Sequence, residues 1–320
     1  MRLAILDDYQ HAALGLADWD SLKPAVTVQT FHDTAINEDA LVERLRDFEI
    51  IVATRERTKF TRTLIERLPK LKLLVTTGFR NASIDQQATT ERGIPVCGTY
   101  SLHSTTMELT WALILALARN IVTENLSLRQ GRWQTTLGVM LQGKVLGIVG
   151  LGDLGSRVAA VAKAFQMEVI AWSQNLTPER AASLGVQRVE KEELLRRADF
   201  VTIHLVLSQR TRGLIGQAEL SLMKPTAYLI NTSRAPIVDE QALIISLKDH
   251  WIAGAAIDVY NHEPLPADHP LLSLDNVLLT PHLGYVTAES LRKAYGEVVE
   301  DVRAFLAGSP IRILGTAWTT

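Results

Sequence analysis

Residues 144–155 read KVLGIVGLGDLG, and residues 156–165 continue as SRVAAVAKAF. Val145, Leu146, Ile148 and Val149 form a short β-branched and aliphatic run that suits a buried strand, and the alanine-rich stretch after Gly155 suits a closely packed helix. Between them Gly150 permits a tight turn, Gly152 lets a ligand approach bare backbone, and Gly155 lets helix and strand touch. The N–H groups at the helix start, beginning with Asp153 and Leu154, then point outward, where they suit the pyrophosphate of a dinucleotide. Strand, glycine turn and helix in this order predict a Rossmann-type unit in the middle of the chain.

The chain has 320 residues, of which 47% are apolar. A single core stops growing at roughly 250–300 residues, so two domains are expected. The net charge of −2 gives no basic excess for nucleic acid or an anionic membrane, and neither is expected as a partner. Cys97 is the only cysteine, which excludes an internal disulfide. The N-terminus MRLAILDDYQ enters a strand without the apolar core of a signal peptide. The longest apolar run, Leu109–Ala118, has about half the length that spans a bilayer. A cytoplasmic protein is the expectation.

Before the glycine motif, apolar runs alternate with helical patterns: RLAIL, a helix near Ala12 to Leu22, VTVQTF, EDALVERLRD, EIIVAT, TRTLIERL, LKLLVTT and IPVCG. Such alternation predicts α/β architecture with a mostly parallel sheet, since crossover helices supply the connections that parallel strands need. A helix over 103–119 is apolar nearly all round and must be covered on several sides. After the motif come strands at MEVIAW, ADFVTIHL, TAYLIN, AGAAIDV and NVLLTP, then an amphipathic helix over 287–308 that is expected to return to the first domain. Its apolar face is Leu291, Tyr295, Val298, Val302 and Phe305, with Arg292, Glu300 and Asp301 elsewhere. The predicted fold is thus α/β: two Rossmann- or flavodoxin-like domains with doubly wound parallel sheets and a cleft between them. Residues 1–98 with 287–320 form the substrate-binding domain, and 99–286 the dinucleotide-binding domain. No metal site is expected.

Ligands of open α/β sheets bind beyond the carboxyl ends of the strands, so the polar residues there are the candidates: His204, Arg234, Asp258, Glu263 and His282. The second strand of the Rossmann unit ends in Ser173, Gln174 and Asn175, where an acid would hold the ribose 2′-hydroxyl of NAD. No acid stands there, and no arginine follows until Arg180, so NAD and NADP both remain open. Arg234 offers a planar fork for a substrate carboxylate. His282 can give a proton to a ketone oxygen as hydride arrives and take it back in reverse. Glu263 against the imidazole would stabilise its cationic form. The three together suit reduction of a 2-oxo acid.

Four stretches carry a resemblance. GLGDLG at 150–155, MKPTAYLINTSRAPIVDEQAL with Arg234, AAIDVYNHEP with Glu263 and LLTPHLG with His282 are similar, in this order, to motifs of the D-isomer-specific 2-hydroxyacid dehydrogenases, and the resemblance covers nearly the whole chain. That family includes phosphoglycerate dehydrogenase and the glyoxylate/hydroxypyruvate reductases. The resemblance implies an NAD(P)-dependent oxidoreductase in which Arg234, Glu263 and His282 are catalytic. It implies that Asp258 contacts the nicotinamide amide, that Thr232 and Ser233 lie along the cofactor and that Thr105 touches it. It further implies that backbone around Thr77 and Gly78 holds the substrate carboxylate with Arg55 nearby, and that the chain forms homodimers through the middle domain. Ala235 replaces a usual glycine, Arg80 and Ala82 depart from the first-domain loop pattern, and Val206 stands where proline is common. A protein of the same fold that only senses NAD(H), as corepressors do, is the alternative; it would bind cofactor without turning over 2-oxo acids.

Overall fold

The computed structural model describes residues 1–100 and 102–315, and the chain divides into two compact units, Met1–Leu102 with the segment from Tyr285 onward, and His103–Gly284. Residues 316–320, assigned from sequence to the first domain, lie outside the described residues.

The first unit runs β1 (Arg2–Ile5), α1 (Ala13–Leu16), β2 (Thr27–Thr30), α2 (Glu38–Leu45), β3 (Ile50–Ala53), α3 (Arg62–Glu66), β4 (Leu73–Thr76), α4 (Gln86–Glu91) and β5 (Val96–Gly98). The strands pair in parallel in the order β2-β1-β3-β4-β5. β3 and β4 are buried along their whole length, as strands covered on both faces must be. Asn37, Thr61 and Asp85 start α2, α3 and α4 by accepting the N–H of Ala40, Leu64 and Ala88, which fixes where each helix begins. The helix expected over Ala12 to Leu22 is instead two short turns, α1 and a 3-10 turn over Trp19–Leu22. Ala17 between them is extended, and Asp18 turns its side chain back to accept the Ser21 N–H at 3.2 Å, so the local cap wins over continued helix.

The second unit continues with α5 (His103–Ala118), α6 (Ile121–Arg129), β6 (Val145–Val149), α7 (Asp153–Ala164), β7 (Glu168–Trp172), α8 (Pro178–Ser183), β8 (Gln187–Arg188), α9 (Lys191–Arg197), β9 (Phe200–Ile203), α10 (Gln217–Leu220), β10 (Tyr228–Asn231), α11 (Glu240–Lys248), β11 (Gly254–Ile257) and β12 (Val277–Leu279). Its strands are parallel in the order β12-β11-β10-β9-β6-β7-β8, so the winding reverses between β6 and β9. One register row, Trp172–Val149–Ile203–Asn231–Ile257–Leu279, crosses six neighbouring strands just before their carboxyl ends. α5 buries Trp111, Leu113 and Ile114 with Leu146, Ile148 and Val158 of β6 and α7.

The chain then returns to the first unit as α12 (Ala288–Leu306). Leu291, Tyr295, Val298 and Val302 pack with Leu3, Ile5, Ile50 and Leu73, each such burial contributing roughly 1.5–3 kcal/mol. Asp301 corrects the sequence reading, for it is fully buried and receives Arg312 Nε at 2.9 Å. The tail after α12 folds back so that Gly98 N–H donates to Arg312 O and Leu314 N–H to Val96 O, which brings Arg312 against Asp301, off the apolar face read from the sequence. No helix among the described residues is long and apolar enough to cross a membrane.

Candidate active site

The residues that follow the register row of the second unit are Ser173, Gly150, His204, Thr232, Asp258 and Thr280. The sheet therefore collects at one edge the second-unit strand-end candidates that sequence reading scattered over more than a hundred positions.

At the reversal point Gly150 has φ +108, and a Cβ there would lie 2.6 Å from the carbonyl oxygen of His204, so only glycine fits. A Cβ on Gly155 would run into the Gly150 carbonyl, whereas one on Gly152 would meet nothing within 4 Å. Gly152 thus borders open space at the N-cap of α7, and no side chain caps the first turn, where the helix start suits an anion. The Asp153 carboxylate turns aside to Arg157 Nε at 3.2 Å. Ser173 is half-buried, while Gln174 and Asn175 are exposed. His204 shares a 2.9 Å hydrogen bond between Nε2 and Thr202 Oγ1, and its Nδ1 is buried with no hydrogen-bond partner among the described residues. Burial pushes its pKa down to about 3, so the ring is neutral and offers one unused nitrogen. A bare-backbone cradle at a helix start and an orphaned polar atom one strand away fit a dinucleotide.

Farther along the edge, Thr232 is buried and shares a 2.9 Å hydrogen bond with Thr110 of α5. Ser233 Oγ donates to Leu205 O. Asn231, at the end of β10, shapes the next turn, accepting Ser233 N–H at 3.1 Å and donating to Arg234 O at 3.2 Å. Arg234 follows with NH1 donating to Ser233 O at 2.8 Å. Ala235 is absent from the residues with positive φ, so its methyl replaces glycine without backbone strain. Val206 is 72% exposed.

Asp258 is fully buried and accepts Thr280 Oγ1 at 2.6 Å, Leu283 N–H at 2.7 Å and Gly284 N–H at 3.0 Å. Burial pushes its pKa up against these bonds, which hold the loop after β12 in place. In that loop His282 adopts φ +54, and its Nδ1 donates to Glu263 Oε2 at 2.7 Å. Glu263 Oε1 accepts Tyr260 N–H at 3.0 Å. An ionised carboxylate only accepts, so in this contact the proton sits on Nδ1. Thr105 is buried on α5, where Thr106 Oγ1 donates to Gly284 O at 2.9 Å.

In the first unit, Arg55 takes φ +53 and donates its N–H to Thr77 Oγ1 at 3.0 Å and its NH1 to Thr77 O at 3.3 Å. Gly78 has φ +155, and a Cβ there would strike the Arg55 guanidinium. Asn81 braces the pair, donating to Arg55 O at 2.6 Å and Thr76 Oγ1 at 2.9 Å. Arg80 is exposed, with its guanidinium 5.4 Å from the Phe79 ring centre. No metal-holding group of His, Cys, Asp or Glu occurs among the described residues.

Sequence reasoning missed Thr110, Asn231, Asn81 and Tyr260. Asn231 carried a usable signal, being a polar residue ending an apolar strand, whereas Thr110 sits inside an apolar helical run and carried none.

Residues 111–284 match the family described as D-isomer specific 2-hydroxyacid dehydrogenase, NAD binding domain. The chain is 41% identical to the D-3-phosphoglycerate dehydrogenase of Methanocaldococcus jannaschii over 86% of its own length, but it spans about half (53%) of that relative. It is 39% identical to the glyoxylate reductase of Aeropyrum pernix, covering 91% of this chain and 86% of that one. The crystal structure of a phosphoglycerate oxidoreductase from Vibrio cholerae superposes with a TM-score of 0.93 at 38% identity, over 97% of this chain and all (100%) of that one. The chain therefore belongs to the D-isomer specific 2-hydroxyacid dehydrogenase family, oxidoreductases that pass a hydride between NAD or NADP and a 2-hydroxy or 2-oxo acid.

Proposed function

We propose that this chain reduces small 2-oxo acids of the glyoxylate and hydroxypyruvate type, and oxidises the corresponding D-2-hydroxy acids, in the cytoplasm. The observation that carries this reading is the 2.7 Å contact between His282 and Glu263 at the edge of the nucleotide-type sheet. The cradle of Gly150, Gly152, Asp153, Leu154 and Gly155 would hold the pyrophosphate, with Ser173, Gln174 and Asn175 at the adenosine ribose and Thr105, His204, Thr232, Ser233 and Asp258 toward the nicotinamide. When bound, NADH or NADPH supplies the hydride. Arg234 pairs with the substrate carboxylate and polarises the ketone. His282 Nε2 delivers the proton to the ketone oxygen, and Glu263 stabilises the imidazolium before delivery and orients the neutral ring after it. Arg55, Thr77 and Gly78 of the first unit are the further residues proposed for substrate binding.

A homodimer is part of the same reading. Leu126 and Leu128 of α6 are exposed, and Trp133 and Leu137 in the segment after it are 75% and 95% exposed, apolar side chains that suit a second copy.

Oxidation of NADH and NADPH against glyoxylate, hydroxypyruvate, pyruvate, phenylpyruvate and 2-oxoglutarate tests the proposal. Turnover of at least one short 2-oxo acid is expected. Cofactor binding with no turnover across the panel would instead identify a sensing protein.

A further inference from the structure

Tyr260 lies between the two halves of the acid–base pair without being one of them. Its hydroxyl is 3.0 Å from Ile257 O, at the end of β11, and 2.9 Å from Thr280 O, just beyond β12, and donates to this pair of carbonyls. Thr280 O also accepts the His282 N–H at 3.0 Å. The Tyr260 main-chain N–H donates to Glu263 Oε1 at 3.0 Å, and Glu263 Oε2 receives His282 Nδ1 at 2.7 Å. These contacts close a ring: from the phenol to Thr280, along the chain to His282, through the imidazole to Glu263, and back to the amide of Tyr260.

Such a ring has a physical task. His282 stands at φ +54, in the left-handed region that a side-chain-bearing residue enters at a cost. Asp258 fixes the far side of the loop through Thr280 Oγ1, Leu283 N–H and Gly284 N–H. At Thr280 itself the N–H is held by Ile257 O at 3.0 Å and the carbonyl, which also receives the His282 N–H, is held by the Tyr260 hydroxyl. The ring of Tyr260 packs with the apolar core of the second unit, which anchors that hydroxyl to the sheet. Burial, with Asp258 and Glu263 nearby, pushes the phenol pKa up, so it remains an O–H donor at neutral pH.

We propose that Tyr260 is a positioning residue for the reaction: its hydroxyl sets the backbone that presents the His282 imidazole, and its amide sets the carboxylate behind it. The inference rests on the acid–base role proposed for His282. Tyrosine is needed here for one oxygen atom, since phenylalanine would fill the same apolar space.

The test is a double-mutant cycle on the full chain, with wild type, Tyr260→Phe, His282→Gln and the double variant assayed with NADH, NADPH, glyoxylate and hydroxypyruvate. Tyr260→Phe is expected to keep a thermal midpoint within a few degrees of wild type and cofactor KM within about twofold, while kcat falls roughly tenfold. In the His282→Gln background the same change should cost nothing further, because the group it positions is gone. An unchanged kcat in Tyr260→Phe overturns the proposal, as does an equal loss in both backgrounds, which would mark a general structural effect. Near-normal turnover by His282→Gln alone refutes the acid–base reading itself, and this is seen before the tyrosine is touched.

Discussion

His282 Nδ1 lies 2.7 Å from Glu263 Oε2, a contact that ties one ring nitrogen to the carboxylate and fixes how the imidazole is turned. His282→Gln should lower kcat by about a hundredfold or more, the usual worth of a positioned general acid, with cofactor affinity little altered. Glu263→Gln keeps an acceptor but loses the charge, and a drop in kcat of roughly tenfold or more is expected, because the imidazolium is no longer stabilised. Steady-state kinetics on both variants check the pair; normal turnover in either would remove its assigned role.

Arg234→Ala should raise the KM for the 2-oxo acid and lower kcat/KM by roughly a hundredfold, as expected for loss of a charge-assisted pair to the substrate. Arg234→Lys should recover little, since a point charge does not replace the planar fork. An unaltered substrate profile would count against the assignment.

Gly152 and Gly155 should fail in different ways when changed to alanine. The Gly155 Cβ would meet the Gly150 carbonyl, so Gly155→Ala should lower the melting temperature. The Gly152 Cβ has open space, so Gly152→Ala should fold normally yet bind NADH or NADPH roughly tenfold or more weakly, the methyl standing where the pyrophosphate approaches. Melting curves and cofactor fluorescence titrations separate the two.

Asp301 gives a pH dependence of stability. Burial pushes its carboxyl up from 3.8 to about 8, outweighing the attraction of Arg312, and its Oδ2 has no hydrogen-bond partner among the described residues. The folded chain then keeps a proton that the unfolded chain releases above 3.8. This contribution to stability is complete below 3.8 and is lost as pH rises through about 8. Between pH 5 and 8.5 the wild type should therefore lose melting temperature relative to Asp301→Asn. Parallel curves for the two proteins would remove Asp301 as the source.

If the exposed Trp133 and Leu137 after α6 face a second copy, Leu137→Ser combined with Trp133→Ser should shift the protein to monomers in sedimentation velocity runs, with the melting curve retained. A dimer that survives both changes must use another face.

Legibility in the sequence followed the range of the interaction. The parallel sheets were readable because runs such as IIVA and LLVT are buried on both faces and show it in composition. Gly150, Gly155 and the strand-end residues were readable because the sheet itself imposes their place. Tyr260, Asn231 and Thr110 were not, since each acts through a main-chain carbonyl or a neighbouring hydroxyl that only the fold brings near. The fate of Asp301 was hidden for the same reason, because its partner Arg312 comes from a tail that folds back onto the helix. The helix misread over Ala12 to Leu22 is a contest between weak propensity and one aspartate cap, which periodicity does not weigh.

The hydrogen bond from Thr106 to Gly284 joins the beginning of the second unit to its last residue. A polypeptide whose two ends already meet can be cut out of a longer gene, or spliced into a different one, without a linker to bridge them. Residues 103–284 are for that reason a natural cassette: fused to an unrelated host at that junction, they should carry dinucleotide affinity with them, together with Arg234, Glu263 and His282, and leave only the Arg55, Thr77 and Gly78 loops behind.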